Sequence, residues 1–65
     1  MRVTWNGEAR ELRDGLTVLE LLEVEREPAG HVVVEVNREY LARRAYARVL
    51  REGDLIEIIR PAFGG

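Results

Sequence analysis

The sequence contains no cysteine, lysine, serine or glutamine among its 65 residues. The absence of cysteine excludes disulfides, thiolate metal sites and a cysteine nucleophile. His31 is the single histidine, and zinc or triad chemistry needs convergent partners that one histidine does not supply. Its place before a valine run is typical of a strand end. Because there is no lysine, the chain has no ε-amine through which copies could be linked. We therefore expect no metal site and no side-chain catalytic centre.

The chain is also short for a protein that encloses an active site. A domain of this size buries only about 60% of the surface its unfolded chain exposes. No apolar run approaches the roughly 18 residues of a membrane span, and the N-terminus lacks a signal-peptide pattern. The formal net charge of −2 argues against general nucleic-acid binding. We expect a cytoplasmic protein with no nucleic-acid partner and no membrane partner.

The C-terminus carries the most suggestive local feature. Gly64-Gly65 follows a strand-like run, Leu55 to Ile59, and a spacer of Arg60 to Phe63. Glycine has no side chain to collide with the walls of a partner's channel, and it leaves the terminal carboxylate uncrowded. The alternative is an uninformative frayed terminus. The sequence therefore predicts that any chemistry lies at the carboxylate of Gly65.

The first half of the chain predicts a hairpin followed by a helix. Apolar and polar residues alternate from Met1 to Trp5, and Asn6-Gly7 is typical of a two-residue hairpin turn with positive φ angles. The chain would return through Glu8 to Leu12. Thr17 and Glu20 have the spacing of a capping box, so a helix is expected to begin there, with an apolar side formed by Val18, Leu19, Leu21, Leu22 and Val24. Pro28 and Gly30 close off the helical segment.

The second half predicts strands. The β-branched run from Val32 to Val36 favours a strand, and Tyr40-Leu41 a short edge strand followed by a turn or two of helix. Gly53 marks a turn before the last strand, Leu55 to Arg60. Pro61 cannot donate to a sheet, so the chain should leave the sheet there.

This order of elements predicts an α+β fold, a mixed sheet of four to five strands with one main helix across one face. We expect one domain over residues 1–60 and a flexible tail over residues 61–65 ending in Gly-Gly. The residues predicted to lie in the core are Val3, Trp5, Leu12, Val18, Leu19, Leu22, Val32, Val34, Val36, Ile56 and Ile58.

Five blocks in this order resemble the ThiS family of sulfur carriers in thiamine biosynthesis. They are Val3-Thr4-Trp5-Asn6-Gly7-Glu8, Gly15 to Leu22, Val34 to Glu39, Gly53 to Ile58 and the final Gly64-Gly65. Each block alone is weakly specific. Together, at this spacing and in a chain of this length, the five blocks are strong evidence for the resemblance. The sequence departs from the family pattern at Arg38, where glycine is frequent, and at Phe63, where a small residue is frequent.

The resemblance implies a ubiquitin-like β-grasp fold and a carrier chemistry. The carboxylate of Gly65, preceded by Gly64, would be adenylated with ATP by an E1-like, ThiF-like adenylyltransferase and then converted to a thiocarboxylate. A ThiG-like thiazole synthase would receive the sulfur, which a separate sulfur donor enzyme would supply. The chain has no phosphate-binding loop of the G-x-x-x-x-G-K-[ST] kind, so we expect no bound cofactor here and ATP only in the activating partner. The chain would be a protein cosubstrate and not an enzyme.

The partner-binding residues are predicted from the alternation of the last strand. If Ile56 and Ile58 point into the core, then Leu55, Glu57 and Ile59 lie on the opposite face, beside the tail residues Pro61, Ala62 and Phe63. Exposed aliphatic side chains in one patch favour a partner contact. The alternative is that the segment from 40 to 50 covers this face.

Other functions use the same fold. A MoaD-like molybdopterin carrier, a tRNA-thiolation carrier and a ubiquitin-like modifier are the nearest alternatives, since fold alone does not give function. A β-grasp binding module that makes no use of its tail is a further one. Deleting Gly65 alone would distinguish these classes, because a carrier would lose its function and a binding module would keep it.

Overall fold

The computed structural model describes residues 1–61 as a sheet with one helix. The strands are β1 (Arg2–Trp5), β2 (Glu8–Glu11), β3 (Val33–Val36), β4 (Glu39–Leu41) and β5 (Leu55–Ile59), and the helix α1 is Val18–Val24. Two short 3-10 helices, Ala29–His31 and Arg43–Ala45, lie in the connections. His31 therefore closes a 3-10 turn and does not open β3.

The sheet is mixed, with strand order β2-β1-β5-β3-β4. The pair β1 and β5 is parallel, and the other neighbouring pairs are antiparallel. The first and last strands are thus central neighbours, and the two hairpins lie on either side. This five-stranded sheet with one helix is the predicted ubiquitin-like β-grasp fold.

The hairpin turns and the start of the helix follow the sequence signals. Asn6 and Gly7 have φ angles of 46° and 83°, as the predicted hairpin turn requires. The Thr17 hydroxyl accepts a hydrogen bond from the Glu20 amide at 3.1 Å, and the Glu20 carboxylate accepts one from the Thr17 amide at 3.0 Å. The Thr17 amide, which has the largest effect, and the Thr17 hydroxyl both donate to the Glu20 carboxylate and hold the pKa of Glu20 below its usual value. The predicted capping box is confirmed.

The core lies between α1 and one face of the sheet. Its buried members are Val3, Trp5, Leu16, Val18, Leu21, Leu22, Val34, Val36, Tyr46, Leu50, Ile56 and Ile58. Leu12 and Val32 are partly buried against this cluster. The prediction for Leu19 was wrong, because its side chain is 41% exposed. Residues 18, 21 and 22 share one helical face, whereas position 19 is turned about 100° away from position 18.

Asp54 is the buried charged residue of the described chain, and it connects three segments. Its carboxylate accepts hydrogen bonds from Arg48 Nη1 at 3.0 Å, the Arg51 amide at 2.8 Å and Asn37 Nδ2 at 3.0 Å. Burial alone would raise its pKa, but these hydrogen bonds outweigh burial and hold the pKa of Asp54 below its usual value. The turn before β5 is therefore fixed by a paired carboxylate.

We expect Asp54→Asn to lower the free energy of unfolding by about 2 to 3 kcal/mol at neutral pH, since it removes the charge that Arg48 faces. A carboxyl whose folded pKa lies below its unfolded value of about 3.9 stabilises the fold above that pH, and the contribution is lost as pH falls through the folded pKa. The unfolding free energies of the two proteins, measured with denaturant, should therefore converge as the pH is lowered from about 4 through the folded pKa of Asp54. Asp14→Asn is the matched control, because that side chain is 94% exposed, and it should change stability little.

Candidate docking face and the base of the C-terminal tail

The predicted partner-binding residues of β5 lie on the sheet face opposite α1. Ile56 and Ile58 are buried in the core, Leu55 and Glu57 are half-buried on the other side, and Ile59 is 48% exposed. Pro61 is exposed beyond the end of β5. Ala62, Phe63, Gly64 and Gly65 lie outside the described residues, so their predicted roles stay predictions.

The register of the sheet defines what surrounds these residues. Thr4 lies beside Leu55, Glu35 is opposite Glu57, and Val33 is opposite Ile59. Tyr40 pairs with Glu35 from the edge strand and is 69% exposed. We call this set the open face; it consists of Thr4, Val33, Glu35, Tyr40, Leu55, Glu57 and Ile59.

Of the segment from 40 to 50, Tyr40 and Leu41 belong to β4, and the remainder, from 42 to 50, does not cover the open face. It packs against the start of the helix, where the amides of Val18 and Leu19 donate to the carbonyls of Arg48 and Tyr46 at 3.0 and 2.9 Å. Val49 pairs with Thr17 in an isolated bridge. Tyr46 and Leu50 are buried in the core on the helix side of the sheet. The open face is therefore left to solvent at Ile59 and Tyr40, and an apolar patch of this kind favours a partner contact.

The open face also brings two carboxylates together. Glu35 and Glu57 are directly opposite each other on antiparallel strands, where side chains lie about 5 Å apart and like charges destabilise the sheet. Neither carboxylate has an ion-pair partner among residues 1–61. A partner that placed a cation between them would relieve the repulsion, so the face is complementary to an apolar surface with a basic residue near its centre.

Two turn asparagines hold β5 in place at both of its edges. Asn6 Oδ1 accepts from the Ile58 amide at 2.8 Å, and Asn37 Oδ1 accepts from the Leu55 amide at 2.9 Å. Asn37 has a φ of 54°, and Arg38, one of the two residues that depart from the ThiS pattern, has a φ of 69°. Asn37 and Arg38 therefore form the turn with both residues in the left-handed conformation. Both asparagines fix the strand from which the tail leaves.

Metal-binding clusters and membrane-length helices are both absent from residues 1–61. No group of three or more metal-binding side chains occurs within residues 1–61. Within the same range, no helix is long and apolar enough to cross a membrane. The site consists of a central strand that is hydrogen-bonded at both edges, has an accessible face on one side and continues into the tail.

The sequence profile of the ThiS family matches residues 3–65. The chain belongs to the ThiS family. The crystal structure of the thiamine biosynthesis protein ThiS from Geobacter metallireducens superposes on this ThiS-family chain with a TM-score of 0.85 and 35% sequence identity, and the match covers 100% of both chains. An NMR solution structure of a thiamine biosynthesis protein from the same organism gives a TM-score of 0.80 at 35% identity, covering 100% of this chain and 88% of the other. No curated protein matches the chain.

Strand alternation predicts that Leu55, Glu57 and Ile59 share one face, and the structure brings them together there. The sequence-based predictions missed Glu35, the asparagine side-chain bonds to β5, and an ion pair between Glu27 and Arg60 at the base of the tail. Glu35 could have been found from the alternation of the valine run, which turns it away from Val34 and Val36. No local signal marks a contact between residues 33 positions apart.

Proposed function

We propose that this ThiS-family chain is a sulfur carrier whose C-terminal carboxylate, at Gly65, is adenylated and then converted to a thiocarboxylate that donates sulfur for thiazole formation in thiamine biosynthesis. The family match, which extends to Gly65, is the observation that carries the proposal. The thiamine biosynthesis protein of Geobacter metallireducens, similar over its whole length, supports the pathway. The position of the tail at the end of a fixed central strand agrees with both.

The chemistry explains why the carrier needs an activating enzyme. A carboxylate resists attack by a sulfur nucleophile, because its charge repels the nucleophile and oxide is a very poor leaving group. When a carboxylate oxygen of Gly65 attacks the α-phosphorus of ATP, pyrophosphate leaves and an acyl-adenylate forms. A sulfur nucleophile then displaces AMP from the acyl carbon. ATP is bound by the activating enzyme, so the carrier acts as a protein cosubstrate without a cofactor of its own.

The partners follow from these steps. An E1-like, ThiF-like adenylyltransferase activates Gly65, a sulfur donor enzyme supplies the sulfur, and a ThiG-like thiazole synthase receives it. We propose that the first and last of these dock on Leu55, Glu57 and Ile59 and thread the tail, Pro61 to Gly65, into their active sites. An extended tail of this length spans at most about 15 to 18 Å, and Gly64 allows close approach of the channel walls. All steps would take place in the cytoplasm.

Intact mass spectrometry tests the proposal. After incubation with the E1-like enzyme, ATP and a sulfur source, the mass of the carrier should rise by the difference between sulfur and oxygen, and the change should map to the C-terminal peptide. Omitting ATP should prevent the change, because no acyl-adenylate forms. A chain lacking Gly64 and Gly65 is the matched control and should stay unmodified.

Two results would contradict the proposal. One is a sulfur atom found at any other position; the other is an unmodified carrier that supports thiazole formation as well as the modified one. Sulfur transfer only to molybdopterin synthase or to tRNA would keep the carrier chemistry but assign the chain to another pathway.

A further inference from the structure

An ion pair at the base of the tail joins Arg60 to Glu27. Arg60 Nε donates to Glu27 Oε1 at 3.0 Å, and Nη2 donates to Glu27 Oε2. The guanidinium thus meets the carboxylate through two parallel bonds, an arrangement that fixes orientation as well as distance. The Glu27 side chain is 10% exposed, whereas Arg60 is 62% exposed.

The acceptor of this pair is held by the end of α1. Arg26 adopts a φ of 60°, and the amides of Arg26 and Glu27 donate to the carbonyls of Glu23 and Leu22 at 3.1 and 2.8 Å. These two bonds form a Schellman motif, in which the residue after the left-handed one folds back over the helix end. The backbone of Glu27 is therefore anchored to the end of the helix that covers the core.

The donor of the pair is at the point where the chain leaves the sheet. Arg60 follows Ile59, the last residue of β5, and precedes Pro61. Proline fixes its own φ near −65°, and the residue before a proline is confined to extended conformations. Arg60 still has a range of extended backbone angles, and the contact of its side chain with Glu27 narrows that range.

Resting on the proposed function, we infer that the Arg60–Glu27 pair is a positioning device, which sets the direction in which the tail leaves β5 before a partner captures it. Neither residue touches the reacting carboxylate in this role. Holding the exit direction in the free carrier lowers the conformational entropy lost when the tail is threaded. Removing the pair should weaken productive capture without changing the chemical step.

The test measures adenylation of Gly65 by the E1-like enzyme, as ATP–pyrophosphate exchange, for Arg60→Gln and Glu27→Gln. Each variant should raise KM for the carrier about two- to fivefold, the range expected for one well-formed ion pair, with kcat unchanged. The charge-swapped double variant, Glu27→Arg with Arg60→Glu, should recover much of the loss. Arg13→Gln is the matched control, because Arg13 pairs with Glu20 and is 63% exposed, and it should leave KM unchanged. Thermal melts show whether each variant is folded.

The outcomes separate this inference from the proposed function. If wild-type carrier is not adenylated at all, the proposed function fails and the inference fails with it. If wild type is adenylated and both single variants match it, only the inference is overturned. A loss confined to Arg60→Gln, with Glu27→Gln unaffected and no recovery in the swapped variant, would mean that Arg60 contacts the partner directly, which also overturns it.

Discussion

Replacing Gly65 with valine is expected to abolish adenylation of the carrier and to leave its thermal melt unchanged. A β-branched side chain restricts the backbone and widens the terminus, which a narrow channel in the activating enzyme would not admit. Stability should not change, because the core cluster is assembled from residues between Val3 and Ile58. ATP–pyrophosphate exchange measures the first effect, and circular dichroism measures the second. Gly64→Val should behave in the same way.

Two controls sharpen this experiment. Gly65→Ala adds a single methyl group and should retain part of the activity if width is the limit. One glycine appended after Gly65 keeps the terminal residue but moves the carboxylate by up to about 3.5 Å, so a loss of activity would show that reach matters as well. If Gly65→Val is adenylated at a rate comparable with wild type, the channel argument is wrong.

The double variant Leu55→Asp with Ile59→Asp is expected to remain folded and to lose adenylation. Both side chains lie on the open face and outside the core, so their replacement removes the apolar part of the proposed contact. The new carboxylates also add to the charge of Glu35 and Glu57, and burying them against an apolar partner surface would require them to lose their hydration. Adenylation kinetics and a thermal melt together measure the effect.

Leu19→Asp with Val24→Asp is the matched control for this variant. These apolar side chains are 41% and 64% exposed on α1, away from the open face, and the control should be folded and adenylated like wild type. If the aspartates unfold the sheet, Leu55→Thr with Ile59→Thr keeps strand propensity and should still weaken adenylation. Normal adenylation of a folded open-face variant would contradict the docking hypothesis.

Local signals are sufficient to predict the elements of the fold. The turn at Asn6-Gly7 and the capping box of Thr17 and Glu20 depend on neighbours within three residues, so their chemistry is visible in the sequence. The alternation of β5 is equally local, and it correctly predicts that Leu55, Glu57 and Ile59 lie on one face. Strong local agreement of this kind is what specifies a small fold.

The rest of the core could not be predicted in this way. Leu16, Tyr46 and Leu50 are buried, but they lie in turns and connections outside the helices and strands, which have no regular period. Leu19 shows the opposite error: it belongs to an apolar run that predicts a core position, yet its direction on the helix leaves it exposed. In irregular segments, burial is decided by the path of the chain and not by sequence spacing.

The candidate site was predictable only where it follows strand alternation. The bonds from Asn6 and Asn37 to β5 span 52 and 18 residues, and the contact between Arg60 and Glu27 spans 33. Such pairs are set by sheet order and by the end of the helix. They become visible when the pairing of β5 with β1 and β3 and the position of the helix end are known.

The central position of β5 has a mechanical consequence. The strand that continues into the tail has β1 on one side and β3 on the other, and its hydrogen bonds run across the strand direction. A pull on the tail along β5 therefore loads both rows of bonds in shear at once, instead of opening them one at a time as it would at the end of an edge hairpin. A partner could grip and withdraw from the tail of such a carrier many times while the domain behind it stays folded.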